Sequence, residues 1–175
     1  SGLGENNPFS PLLNPVKKAL KKASVSDVAE RRKEIAQELE RRTLSPRCFN
    51  GGGTGSLQST TQEAWLTEVT AGSGFLQSHL FDYYEDNRNE PAFCFGLQVT
   101  RIPEPGIVVC QSGGFVASGE LTPDKNPLPF LPDTLAPLGT EGFGEVQTPL
   151  KNPEMESLRP GDPVFFRPAK AGEIA

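Results

Sequence analysis

No stretch of this sequence holds the roughly 20 consecutive apolar residues that a bilayer-crossing helix needs. The chain also has only one histidine, one tryptophan, one methionine and three cysteines. The missing apolar run argues against a membrane span. The N-terminus lacks the charged, apolar and small-residue order of a signal peptide, and it opens on Ser1 in place of Met, as a processed or excised start would. Cys48, Cys94 and Cys110 are odd in number and widely spaced. That pattern speaks against a disulfide framework and against paired metal-ligand spacing. They read as small buried hydrophobes of a protein in a reducing, cytoplasmic compartment. Apolar residues are few as well, at 35%, which is below the usual globular share.

What is plentiful is punctuation: 18 glycines and 17 prolines in 175 residues. Turns that dense favour short strands, while 11 phenylalanines and several Val/Ile runs argue against general disorder. The length allows one ordinary core or two small units. Charge is uneven. Through Arg47 there are ten basic against six acidic residues, and beyond it seven against sixteen. Lys17, Lys18, Lys21 and Lys22 have no aromatic residues among them and precede an acidic body. They predict a solvated helix face, with no nucleic-acid partner.

Ser1 to Asn14 reads as loop, and Pro15 to Ala23 as a short basic helix with proline in its first turn. Ser24 and Ser26 compete to cap a second helix running to about Arg42. Val28, Ile35 and Leu39 would form its apolar face, and Ser45-Pro46 would end the run. Thr67 to Thr70 suggests a short strand. From Ala92 the pattern turns to β-structure. Phe93 to Ile102 and Ile107 to Cys110 make a hairpin across Pro103-Glu104-Pro105-Gly106. Val146 to Leu150 and Val164 to Phe166 are further strands, and Gly119 to Thr140 is a proline-rich connection. An α/β segment, residues 1–90, thus precedes a β-domain, residues 91–175.

Two glycine turns carry the chemistry: Asn50-Gly51-Gly52-Gly53-Thr54-Gly55-Ser56 and, one short strand later, Ala71-Gly72-Ser73-Gly74. Without a Cβ the backbone can approach an anion closely. Consecutive N–H groups then converge on phosphate oxygens, and the Thr54 and Ser56 hydroxyls add donors. The spacing matches neither a P-loop nor a dinucleotide fingerprint. A flexible linker has the same composition, but two such turns at successive strand ends would lie side by side, as at a barrel's phosphate site.

The ordered motifs NGGGTGSLQST, TEVTAGSGF, HLFDYY, GEVQTPL and GDPVFFRPAKAGEIA resemble the later part of the amino-acid deaminase/aldolase family, relatives of D-threonine aldolase and D-serine dehydratase. The resemblance spans nearly all of the chain from the second helix onward. It implies α/β architecture: part of a fold-type III, alanine-racemase-like TIM barrel that binds pyridoxal 5′-phosphate, followed by a C-terminal antiparallel β-domain. By it, Gly52, Gly53, Thr54 and Gly55, with Gly72, Ser73 and Gly74, would hold the cofactor phosphate. One of Tyr83 and Tyr84 would stack on or bond near the cofactor, with Tyr83 the candidate, while the other packs in the core.

Two departures qualify what the resemblance implies. The family's cofactor-binding lysine lies before anything resembling Ser1, and none of the eight lysines here sits in its motif. The chain therefore reads as the C-terminal portion of a lyase, inactive alone, that cleaves or dehydrates a β-hydroxy amino acid, D isomers being the expectation. It would need the N-terminal half of the barrel or a second copy, with a homodimer expected. Where metal-dependent relatives carry His-x-Cys or His-x-Asp, this chain has Pro168 and Lys170. Proline cannot ligate and an ammonium repels a cation, so no metal is expected. Lys170 would face a substrate hydroxyl or carboxylate in the metal's place, or else be a surface lysine. His79 is a candidate acid or base, or else a structural histidine capping a turn. Glu68 and Glu145 belong to the motifs, but nothing in the sequence pairs them. The competing readings are a non-catalytic structural module derived from the fold and an unrelated phosphate-binding domain.

Overall fold

The computed structural model describes residues 4–87, 89–119, 122–139, 141–172 and 174. The Leu121 end of the proline-rich connection, Thr140, and the first three residues of the N-terminal loop lie outside the described residues. The chain divides into two compact units, Ser1–Phe75 with Phe81–Asn89, and Leu76–Leu80 with Glu90–Ala175.

The first unit begins with one helix where the sequence predicts two. Helix α1 runs unbroken over Asn14–Arg41 with Pro15 in its first turn, a length of about 42 Å at the usual helical rise. Ser24 and Ser26 do not cap a new start. Ser26 Oγ donates back to the Lys22 carbonyl at 3.2 Å, which satisfies the hydroxyl inside a continuing helix. The flanking Ala, Lys, Glu and Arg residues are good helix formers. Near the C-terminus Arg41 and Arg42 both bond Glu38, and they hold its carboxyl below the usual carboxylate range.

The seated face of α1 also differs from the expected one. Val28 and Ile35 are exposed, whereas Ala36 is buried. The inward stripe is Lys17, Lys21, Val25, Arg32, Ala36 and Leu39, at spacings of three, four and seven. Two of its cations find acidic partners, Lys21 with Glu5 and Arg32 with Glu63. Long basic stems can cover a surface as well as aliphatic side chains do, so the ion pairs select a mixed face in place of the purely apolar one. After α1 come β1 (Asn50–Gly51), α2 (Leu57–Thr60) and β2 (Glu68–Val69). The two strands pair in parallel.

The second unit is a six-stranded antiparallel sheet made of β3 (Phe95–Glu104), β4 (Ile107–Gln111), β5 (Leu128–Leu131), β6 (Ala136–Pro137), β7 (Gln147–Lys151) and β8 (Pro163–Arg167). Its strand order is β5-β8-β3-β4-β7-β6, and the sheet curls into a nearly closed, barrel-like form. The β3–β4 hairpin pairs Glu104 with Ile107 across Pro105-Gly106. Gly106 has φ +83°, which the residue after proline in such a turn requires. Leu97 and Val99 alternate inward on β3 and meet Val108 and Cys110 of β4, Leu150 of β7, and Val164 and Phe166 of β8. The Phe166 ring stacks on Phe95 at 5.5 Å and meets Phe143 edge-on at 5.9 Å.

Strands β5 and β6 fall inside the expected proline-rich connection. They occupy the two sheet edges, where a missing proline N–H costs no ladder bond, so Pro129 and Pro137 are tolerated in them. The cysteines divide as well. Cys110 is fully buried in the sheet core, but Cys48 and Cys94 are exposed, because both sit just ahead of a strand and outside its pairing.

Candidate functional site: two glycine turns on adjacent parallel strands

The register of β1 and β2 pairs Asn50 with Glu68 and Gly51 with Val69, so the two strands end level with each other. Thr67 N–H donates to the Phe49 carbonyl at 3.1 Å and Thr70 N–H to the Gly51 carbonyl at 2.9 Å. The Asn50 side chain also bonds Thr70 Oγ1 at 2.6 Å. Each strand then passes directly into a glycine-rich 3-10 turn, Thr54–Ser56 after β1 and Gly72–Phe75 after β2.

The two turns meet. A Cβ on Gly74 would stand 2.9 Å from Thr54 Cγ2 and 3.0 Å from Thr54 Oγ1. The other glycines then sort by what surrounds them. At Gly51 a Cβ would meet Leu66 Cδ1 at 2.8 Å and the Arg32 guanidinium carbon at 3.0 Å. At Gly52, which has φ +115°, it would meet Val69 Cγ1 at 2.9 Å, and at Gly55 it would run into the Tyr84 ring. Only Gly53 and Gly72 of the two turns have nothing within 4 Å on that side. The first group are glycines because protein packs on them. The second pair leaves open space in which a ligand could lie against backbone.

A groove of about 720 Å³ runs along this surface. Gly52 to Ser56 and Ser73 line it on one side, and Lys17, Lys21 and Arg32 of α1 line it on the other. Arg32 bonds Glu63 Oε1 at 2.7 Å, and Lys17 donates to Ser10 Oγ at 2.6 Å. The Thr54 and Gly55 amides come first in their turn, where a helical turn offers no internal acceptor. Three cations, two of them paired with Glu63 and Glu5, the turn amides, and the hydroxyls of Thr54, Ser56 and Ser73 supply donors along a groove that Leu20, Val25, Val28 and Phe81 also line. These residues fit a phosphate group.

Of the residues singled out from sequence, Gly52, Gly53, Thr54, Gly55, Gly72, Ser73 and Gly74 are brought together here. The aromatic against the loop is Tyr84. Tyr83 instead accepts the Asn6 N–H at its carbonyl at 2.8 Å and packs against Gly4. Sequence reasoning put Tyr83 ahead of Tyr84 and did not find Lys21 or Arg32 for this groove. Adjacent tyrosines carry no local sign of which one turns inward, and the two cations look like any solvated helix face.

His79 and Lys170 belong to the second unit. His79 is 3% exposed. Its backbone N–H donates to the Pro168 carbonyl at 3.1 Å, and its Nε2 lies 2.8 Å from the Asn126 carbonyl. Lys170 Nζ donates to the Ser118 carbonyl at 2.6 Å and reaches Ser118 Oγ at 3.2 Å. Among the described residues no three His, Cys, Asp or Glu side chains cluster as metal ligands would. No helix among them is long and apolar enough to cross a membrane.

No protein-family model matches the chain, and no curated protein matches it in sequence. Among solved structures it is similar to D-threonine aldolase from Filomicrobium marinum, with a TM-score of 0.70 and 18% identity. The match covers 87% of this chain but 40% of the aldolase chain. This agrees with the family that the ordered motifs resemble, and the chain has the fold of a part, about two fifths, of D-threonine aldolase.

Proposed function

We propose that this chain supplies the cofactor-phosphate cradle of a pyridoxal-phosphate lyase acting on β-hydroxy amino acids. The observation that carries the reading is the meeting of two glycine turns at level ends of adjacent parallel strands, with Gly53 and Gly72 open beside the donor-lined groove. The likeness in fold to D-threonine aldolase supports it. Pyridoxal phosphate, when bound, supplies an electron sink at the amino acid's α-carbon. The residues of this chain anchor and orient: the Thr54 and Gly55 amides with the Thr54, Ser56 and Ser73 hydroxyls take the phosphate, and Lys17, Lys21 and Arg32 lower the cost of its charge.

On this reading the lysine that holds the cofactor covalently comes from polypeptide outside this sequence. So do the strands that complete the parallel sheet. Parallel sheets are ordinarily covered on both faces, and α1 leaves Val16, Leu20, Val28 and Ile35 exposed. An N-terminal half-barrel would cover them, and a homodimer of the completed fold is the expected assembly. The working compartment is the cytoplasm.

The test is titration of the chain with pyridoxamine 5′-phosphate and with pyridoxamine, neither of which has the aldehyde that reacts with surface lysines. A preference of tenfold or more for the phosphorylated compound is expected. Equal affinity for both overturns the reading.

A further inference from the structure

Gly55 is the odd member of the first glycine turn. It does not have positive φ, so its backbone does not require glycine, and its missing side chain does not face the open groove. The space is filled by Tyr84, which is buried at 9% exposure. The ring is held from several sides. Phe81 packs at 5.6 Å between centroids, and the Lys21 ammonium lies 5.3 Å from the Tyr84 centroid. Lys21 is paired with Glu5, which is 2% exposed. The backbone next to the ring is fixed by the Asn6-to-Tyr83 hydrogen bond.

These contacts run in one direction, from the buried carboxylate to the ammonium, to the aromatic face, to the glycine loop. A cation over an aromatic face is attracted to it, and more strongly once desolvated. We propose that Tyr84, steadied by Lys21 and Glu5, is the positioning residue of the glycine loop. It presses on Gly55 and so fixes where the Thr54 and Gly55 amides point. Glycine at 55 is there for this ring, whereas Gly72 is there for the anion and Gly53, open on the same side, is also held to glycine by its φ of +157°. The anion half of the inference rests on the function proposed above, and the Tyr84–Gly55 half stands on packing alone.

The experiment separates the two halves. Gly55→Ala, Tyr84→Ala and the double variant are made in the full chain, with melting followed by Trp65 fluorescence. Gly55→Ala should lower the midpoint when Tyr84 is present and by less than half as much in the Tyr84→Ala background. Additive shifts overturn the assignment of Gly55 to Tyr84. Tyr84→Phe and Tyr84→Leu are then titrated with pyridoxamine 5′-phosphate at a temperature where circular dichroism shows both folded. Phe keeps the ring and should hold the dissociation constant within twofold, while Leu should weaken it at least tenfold. Equal constants for Phe and Leu overturn the positioning role. If the unsubstituted chain fails to prefer the phosphorylated compound, the proposed function falls, and the melting cycle alone decides the packing half.

Discussion

Two glycines in the second turn, Gly72 and Gly74, should respond in opposite directions to the same substitution. Gly74→Ala places a Cβ 2.9 Å from Thr54 Cγ2 and 3.0 Å from Thr54 Oγ1. Both atoms sit on a β-branched side chain with little rotamer freedom, so the loop itself must give way. Overpacking of this kind costs about 1–3 kcal/mol, and the lost freedom of the unfolded chain returns roughly 0.4–1 kcal/mol. The net is a loss of about 1–2 kcal/mol, or a fall in melting midpoint of about 4–16 °C for a unit of this size. Gly72→Ala meets nothing within 4 Å and has no positive φ, so only the gain remains and the midpoint should rise by about 2–8 °C. The single tryptophan, Trp65, lies in the first unit, so its fluorescence reads this unit directly. Thr54→Ala removes both offending atoms and should recover most of the Gly74→Ala loss. A fall for Gly72→Ala as large as that for Gly74→Ala would refute the claim that open space lies over Gly72.

Thiol labelling should be two-staged. Cys48 and Cys94 are exposed and react in the native state. Burial pushes the Cys110 thiol up to about 11, so it should label only on unfolding; three equal rates would contradict its placement. The same shift has a consequence at high pH. The folded thiol keeps its proton to about 11, whereas an unfolded cysteine releases it near 8.5. The raised folded value therefore stabilises the fold fully below the unfolded pKa, and that contribution is lost as pH rises from about 8.5 towards 11. Cys110→Ala should flatten this alkaline decline in a melting series. Phe166→Ala empties a fully buried site that two other phenylalanine rings pack against. It should cost about 3–5 kcal/mol in denaturant unfolding, and a loss under 1 kcal/mol would show that the aromatic cluster is not the centre of the sheet.

Much of the fold was legible because its signals are local. Alternation at Leu97 and Val99, the Pro105-Gly106 turn, and the short strand around Glu68 each need only a few neighbouring residues. The ordered motifs carried the likeness to the aldolase fold over nearly all of the chain from the second helix onward. What was hidden depends on partners far along the chain. Strands β5 and β6 looked like loop because prolines occupy them, and only their position at the sheet edges makes prolines harmless. Helix α1 looked like two because two serines resemble caps when the carbonyl four residues back is ignored. Its seated face was chosen by Glu5 and Glu63, acids no helical periodicity can see. The two glycine turns were visible as composition, but which glycines face protein and which face open space is set by Thr54 and Tyr84.

The order of strands in the sheet has a bearing on how the protein is made. Strand β8 joins β5 on one side to β3 on the other, and the β3–β8 register begins with Phe95 opposite Phe166. A ribosome that has released the chain through β7 can already assemble four strands, β3, β4, β7 and β6, but β5 has no partner in the sheet until β8 emerges. Until then the inner side of β3, with Leu97 and Val99, waits uncovered beside an open edge. The interval between the release of β7 and that of β8 is thus when this sheet is most open to association with other chains, and growth temperature or expression rate should change its soluble yield through that interval.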